Sequence, residues 1–218
     1  LAVVLLSYGA FVLHTVTILG VAHTAPFSSW SFGDYLSRMM PLLWLGMLFF
    51  LTFYTAPQAR RAAILMDATP IPPKQYALAR CAAALTGGAL LTLLCMVEAA
   101  VFYGRMFHWY SWGSLLLPAL VTLLPTLVFA LGSGWLAGQI RPWLVYVWMA
   151  VPFLLAALPL PEALGLWNGS FFTAYPLTLE TLDPVFVVPV GVTVVQVVLL
   201  AAGTVLLILG SNRRKVMR

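Results

Sequence analysis

Residues 114–136 read SLLLPALVTLLPTLVFALGSGWL, 23 positions without one Asp, Glu, Lys, Arg or His. As an α-helix this stretch is about 34 Å long, enough to cross the roughly 30 Å hydrocarbon core of a bilayer. A helix apolar on every side needs either a large protein core or lipid around it. The rest of the chain decides for lipid. Of its 218 residues, 62% are hydrophobic and 8% are charged, with a mean hydropathy of +1.00. Soluble domains carry about 25% charged residues.

Outward from this stretch, the same test predicts six spans, at about 1–22, 39–56, 79–102, 114–136, 142–160 and 185–210. The period-two alternation of a transmembrane strand is absent. The expected fold is therefore an all-α integral membrane protein, one domain over 1–218. The first span begins LAVVLLSYGAFVL, without Met or a basic stretch ahead of it, and lacks a small-residue cleavage pattern. It reads as a span of a chain that starts further upstream, not as a signal peptide. Pro118, Pro125, Pro152 and Pro189 fall within spans. They predict kinks, with the freed carbonyls satisfied by neighbouring helices.

Charge then sets orientation. Arg60, Arg61, Lys74, Arg80, Arg141, Arg213, Arg214, Lys215 and Arg218 fall on one face, and only Arg38 and Arg105 on the other. Asp34, Glu162, Glu180 and Asp183 share that poorer side. Cytoplasmic loops collect Lys and Arg, so both termini and loop 57–78 are expected in the cytoplasm. The net charge of +5 thus marks topology, and no nucleic-acid partner is expected. The outer connection 161–184 is unusually apolar, with Trp167, Phe171, Phe172 and Tyr175. Such a segment lies at the interface or dips back as short helices.

Catalytic patterns are scarce. His14, His23 and His108 belong to no HExxH pair, so zinc-protease chemistry has no ligands. Gly132-Ser133-Gly134 lacks the leading Gly of a serine elbow and reads as small residues at a helix contact. Glu98 is the one acid within a predicted span, so no acidic metal cluster is expected and no metal site is assigned. Glu98 keeps two readings: a pair with Arg105 or His108, or a place along a substrate route. His14 and Gln196 read as partners in interhelical hydrogen bonds. Cys81 and Cys95 lie fourteen residues apart, about 21 Å along a helix, too far to pair. They read as small buried hydrophobes. The two lysines, Lys74 and Lys215, do not follow glycine, so these residues hold no GxxxxGK[ST] phosphate loop. ATP hydrolysis, if it drives this protein, belongs to another polypeptide.

One stretch breaks the apolar pattern: RRAAILMDATPIPPKQYALAR, residues 60–80. QARRAAILMDAT has good helix formers for about three turns. Pro57 precedes it and Pro70 ends it. Ala63, Ile64, Asp67 and Ala68 share a face, and Pro72 and Pro73 suit the entry to the next helix. The expectation is a short helix under the membrane, tied to the second and third spans; a plain interfacial connector fits the same residues.

With Arg60-Arg61, Ala62 to Ala68, Thr69-Pro70-Ile71 and Gln75 to Arg80 in that order between spans two and three, the chain resembles the six-span membrane subunits of ABC-2 type transporters. The amphipathic helix that such permeases carry before the first span is not among these residues, and the basic run of the loop holds no acid, the first being Asp67. The resemblance implies a permease that exports an amphipathic or hydrophobic substrate. Its coupling helix would meet a cytoplasmic ABC ATPase dimer through Arg60, Arg61, Ile64, Leu65, Asp67, Thr69 and Pro70. This chain would carry no cofactor, with ATP and Mg held by the ATPase. A second copy or a related permease would face it across the substrate route in a bacterial inner or plasma membrane, in contact with lipid. The first, second and fifth spans would line that route, with 161–184 as a lid. Glu98, His14, Trp167, Phe171 and Phe172 are the expected route or gate residues. Two other functions fit the same topology: a non-transporting membrane partner or assembly subunit, and an integral membrane enzyme with unrecognised catalytic residues.

Overall fold

A computed structural model describes residues 1–55, 73–179 and 181–212. Every regular element among them is helical: α1 Ala2–Thr15, α2 Ser29–Thr55, α3 Pro73–Phe107, α4 Gly113–Ile140, α5 Trp143–Ala157, the short α6 Ser170–Ala174, and α7 Val190–Asn212. Turns of 3₁₀ helix at Thr17–Leu19, Glu162–Leu164 and Tyr175–Leu179 complete them. Among the described residues, five segments are long and apolar enough to cross a membrane: Ala2–Leu19, Ser29–Thr55, Leu78–Phe107, Gly113–Ile140 and Val190–Gly210. By length and composition this is a multi-pass membrane protein.

α2 and α4 form the centre of the bundle. α2 packs against α1, α3, α4 and α5, and α4 lies along α7. Gly132 allows that last approach, because a Cβ there would run into the backbone carbonyl of Gly203. Gly134 likewise admits Leu48 of α2. Ser133 accepts a 2.7 Å hydrogen bond from Trp148 Nε1 of α5. The Gly132-Ser133-Gly134 run is thus a three-helix contact. Cys81 and Cys95 are both buried and unpaired.

Two of the span prolines show how lipid tolerates them. Proline has no N–H, so the carbonyl four residues earlier loses its helical donor. Pro118 frees the Ser114 carbonyl, which accepts a 3.0 Å bond from Ser29 Oγ. Pro152 frees the Trp148 carbonyl, which accepts a 3.2 Å bond from Trp44 Nε1. Both donors come from α2. Pro189 differs from expectation, since it stands just before α7 and its own carbonyl accepts from Thr193 N at 3.0 Å.

Three boundaries move for physical reasons. The second span begins at Ser29, ten residues earlier than 39. Ser28 Oγ caps it by accepting from Ser31 N at 3.2 Å. Asp34 and Arg38, which suggest a loop when each charge is read alone, neutralise each other one turn apart inside it. The third helix begins at Pro73 and runs to Phe107, so residues 73–78 of the 57–78 loop belong to it, and so does Arg105. The fifth apolar segment makes a helix of only 15 residues, about 22 Å, because Pro159 and Pro161 turn the chain out after Ala157. Six full spans become five long helices and one short one.

Candidate functional site

The connections 16–28, 108–112, 158–179 and 181–189 gather at one end of the bundle, called here the capped end. Ser29 reaches Ser114 there, Asp183 N donates to His23 O at 3.4 Å, and Trp30 Nε1 donates to Pro184 O at 2.8 Å. The 158–179 segment folds back onto α2 through its own local chemistry. Asn168 Nδ2 donates to Leu158 O and its Oδ1 accepts from Ser170 N, both at 3.1 Å. Gly169 takes the left-handed turn this requires, with φ of 79°. That turn lets α6 place Phe171 against Trp30, with ring centroids 5.6 Å apart. Phe172 enters the space left by Gly33, which has no Cβ.

Beside this segment lies a half-open cavity of about 430 Å³. Tyr8 comes from α1, Ser37, Arg38 and Leu42 from α2, Phe153 from α5, and Trp167 from the folded-back segment. Trp167 is held by Trp44, at a centroid distance of 5.4 Å. The first, second and fifth apolar helices therefore line one space, with Trp167 and Asn168 at its edge.

Its polar feature is an ion pair. Arg38 Nε donates to Asp34 Oδ2 at 2.7 Å; the Arg38 side chain is 40% exposed and that of Asp34 only 1%. Asp34 Oδ1 has no hydrogen-bond partner. Gly169 closes over it, since a Cβ there would stand 2.9 Å from Oδ1 and 2.8 Å from Ser37 Oγ. The carboxylate is sealed in while the guanidinium faces the cavity.

A second polar contact lies one residue along α2. Tyr35 Oη is 3.3 Å from the Cys95 carbonyl and 3.4 Å from Glu98 Oε2; its one proton serves either acceptor. Gly9 of α1 makes room, because a Cβ there would meet the Glu98 carboxylate. Glu98 of α3 thus meets α2 at Tyr35 and α1 at Gly9, and not Arg105 or His108. His14 is exposed and lies edge-on to Phe102, 4.9 Å between centroids. Gln196 is buried, yet neither its Oε1 nor its Nε2 has a partner. The interhelical hydrogen bonds expected of these two are not formed among the described residues.

Of the expected route or gate residues, the structure brings Trp167 to the cavity and buries Phe171 and Phe172 behind it. Glu98 and His14 lie apart from it. Arg60, Arg61, Ile64, Leu65, Asp67, Thr69 and Pro70 fall outside the described residues. At the mouth of that loop, Arg80 Nη1 donates to the Tyr54 carbonyl at 3.4 Å, and its guanidinium lies 5.9 Å from the Tyr54 ring centroid. Sequence reasoning missed Asp34, Ser37 and Arg38 as site residues. The signal was the i, i+4 spacing of an acid and a base, D-Y-L-S-R. No group of three His, Cys, Asp or Glu capable of holding a metal occurs among the described residues.

Fold and site together define a class: an all-helical, multi-pass membrane protein with a half-open cavity toward one end. No protein-family model, curated protein or solved structure matches the chain.

Proposed function

We propose that this chain is the permease subunit of an ATP-driven exporter of ABC-2 type, moving an amphipathic or hydrophobic substrate. The observation that carries the reading is the course of α2. One end of this 27-residue helix walls the cavity with Ser37, Arg38 and Leu42, and the other leads into the basic, proline-broken loop. A displacement applied at the loop would travel along α2 as a rigid element, and Arg80 braces α3 against it at Tyr54. The excess of Lys and Arg supports a topology with both termini and the loop in the cytoplasm and the capped end outside. There a partner ATPase, with its own ATP and Mg, would engage Arg60, Arg61 and Asp67. The mainly apolar wall of the cavity suits a substrate with a hydrophobic part better than a bare ion, which needs a polar path.

The test is association and transport. The ATPase that co-purifies with the full chain should lose binding or stimulation when Arg60 and Arg61, or Asp67, become Ala, while the permease stays folded. Normal ATPase association and transport in both variants would remove the coupling assignment. Lipid modification or peptide cleavage by the purified chain alone would make it an enzyme instead.

A further inference from the structure

We infer that the cavity beside Arg38 binds the anionic headgroup of a single-chain amphiphile, a phosphate or carboxylate with one apolar tail. Calling that ligand the exported cargo rests on the proposed function; the binding itself rests on the geometry below.

The ion pair is built with its cation only partly used. A guanidinium carries five N–H donors and meets a carboxylate best through two parallel bonds. Here a single bond is made, from Nε to Oδ2, and Oδ1 is left without a partner. The four N–H groups of Nη1 and Nη2 therefore remain for something else. Asp34 holds the guanidinium in place from below and is itself shut away under Gly169, so a ligand meets the cation and not the acid.

Height along α2 points to an amphiphile. Arg38 lies nine residues from Ser29 and 17 from Thr55, about 14 Å and 26 Å along the axis. Arg60 and Arg61, five and six positions past Thr55, set one headgroup boundary near that end of α2, which puts Arg38 near the other, where headgroup gives way to tail. Leu42 on the next turn and Phe153 on α5 continue the wall toward the hydrocarbon with carbon surface. The volume of about 430 Å³ is at the small end of the roughly 300–1,000 Å³ typical of ligand pockets. It admits a headgroup with the upper part of one chain.

The experiment uses the full chain purified in a non-ionic detergent, titrated with lysophosphatidylglycerol and with the monoacylglycerol of the same chain length, which has no phosphate. Bound lipid is counted by native mass spectrometry. One lysophosphatidylglycerol should bind at least about tenfold tighter than the monoacylglycerol, the difference expected of a charge-assisted hydrogen bond. Arg38→Lys should retain the preference. The Asp34→Asn/Arg38→Gln double variant, which removes both charges together, should lose it. Should that variant fail to fold, Ala156→Trp, which adds bulk at a lining position on α5 and leaves both charges in place, should weaken lysophosphatidylglycerol binding by a similar factor. Equal binding of the two lipids, or a preference unchanged in the charge-free or cavity-filled variant, would reduce the contact to ordinary annular lipid and overturn the inference. Competition by millimolar inorganic phosphate alone would make the ligand a free anion and overturn it too. Selective lipid binding without ATPase association would sink the transport reading and leave this one standing.

Discussion

Replacing Arg38 by Ala should destabilise the bundle far more than removing the whole ion pair. Loss of one partner from a buried pair costs about 3–5 kcal/mol, because the other charge is left uncompensated. Asp34 meets that condition, with its side chain 1% exposed and Oδ1 already unpartnered. Arg38 does not, since its side chain is 40% exposed, and screening there lowers the figure to about 2–3 kcal/mol. In a chain of this size each kcal/mol shifts Tm by roughly 2–4 °C. Arg38→Ala should thus fall by about 4–12 °C. Asp34→Asn/Arg38→Gln buries no charge and loses one hydrogen bond, about 1 kcal/mol, or roughly 2–4 °C. Thermal denaturation in detergent, followed by tryptophan fluorescence at several scan rates, measures the order. If Arg38→Ala were as stable as the wild type, or if the losses of Asp34→Asn and Arg38→Gln, each measured alone, simply added in the double variant, the pair would not be the buried charge compensation described.

Two further outcomes test the helix contacts. Gly132→Ala drives a methyl group into the Gly203 carbonyl, a backbone atom that cannot rotate away; a loss of about 1–3 kcal/mol is expected. Gly191→Ala, with nothing within 4 Å of the new atom, should melt with the wild type in the same assay. Trp44→Phe removes the donor to the Trp148 carbonyl, costing about 1–3 kcal/mol for the orphaned group. Pro152→Ala restores a backbone N–H for that carbonyl, so the Trp44→Phe/Pro152→Ala chain should regain stability over Trp44→Phe alone, as read by denaturation midpoint.

Most of the helical content was legible because lipid imposes one simple demand, length without charge. Residues 114–136 satisfy it and lie inside α4. Pro73 was legible as a helix start, since proline fits the first turn. The window that finds spans fails at α2, where Asp34 and Arg38 count as two penalties although the fold makes them one neutral pair. It fails again at α5, where Pro159 and Pro161 are apolar by composition and helix-ending by geometry. For the site, the aromatic residues of 161–184 stood out because an apolar outer loop is unusual. Nothing local linked Glu98 to Tyr35, which is 63 positions away. Nor could spacing along one helix reveal a cavity that three helices and a folded-back segment share.

The bond from Trp44 to the carbonyl freed by Pro152 has a consequence for biogenesis. An unpaired carbonyl in hydrocarbon costs several kcal/mol, so α5 is incomplete as an independent inserted helix. Its missing donor sits on α2, which is synthesised first. The chain therefore delivers that donor to the membrane before the acceptor that needs it. A protein with the order of these segments reversed would have to hold a defective helix in lipid while it waited for the repair.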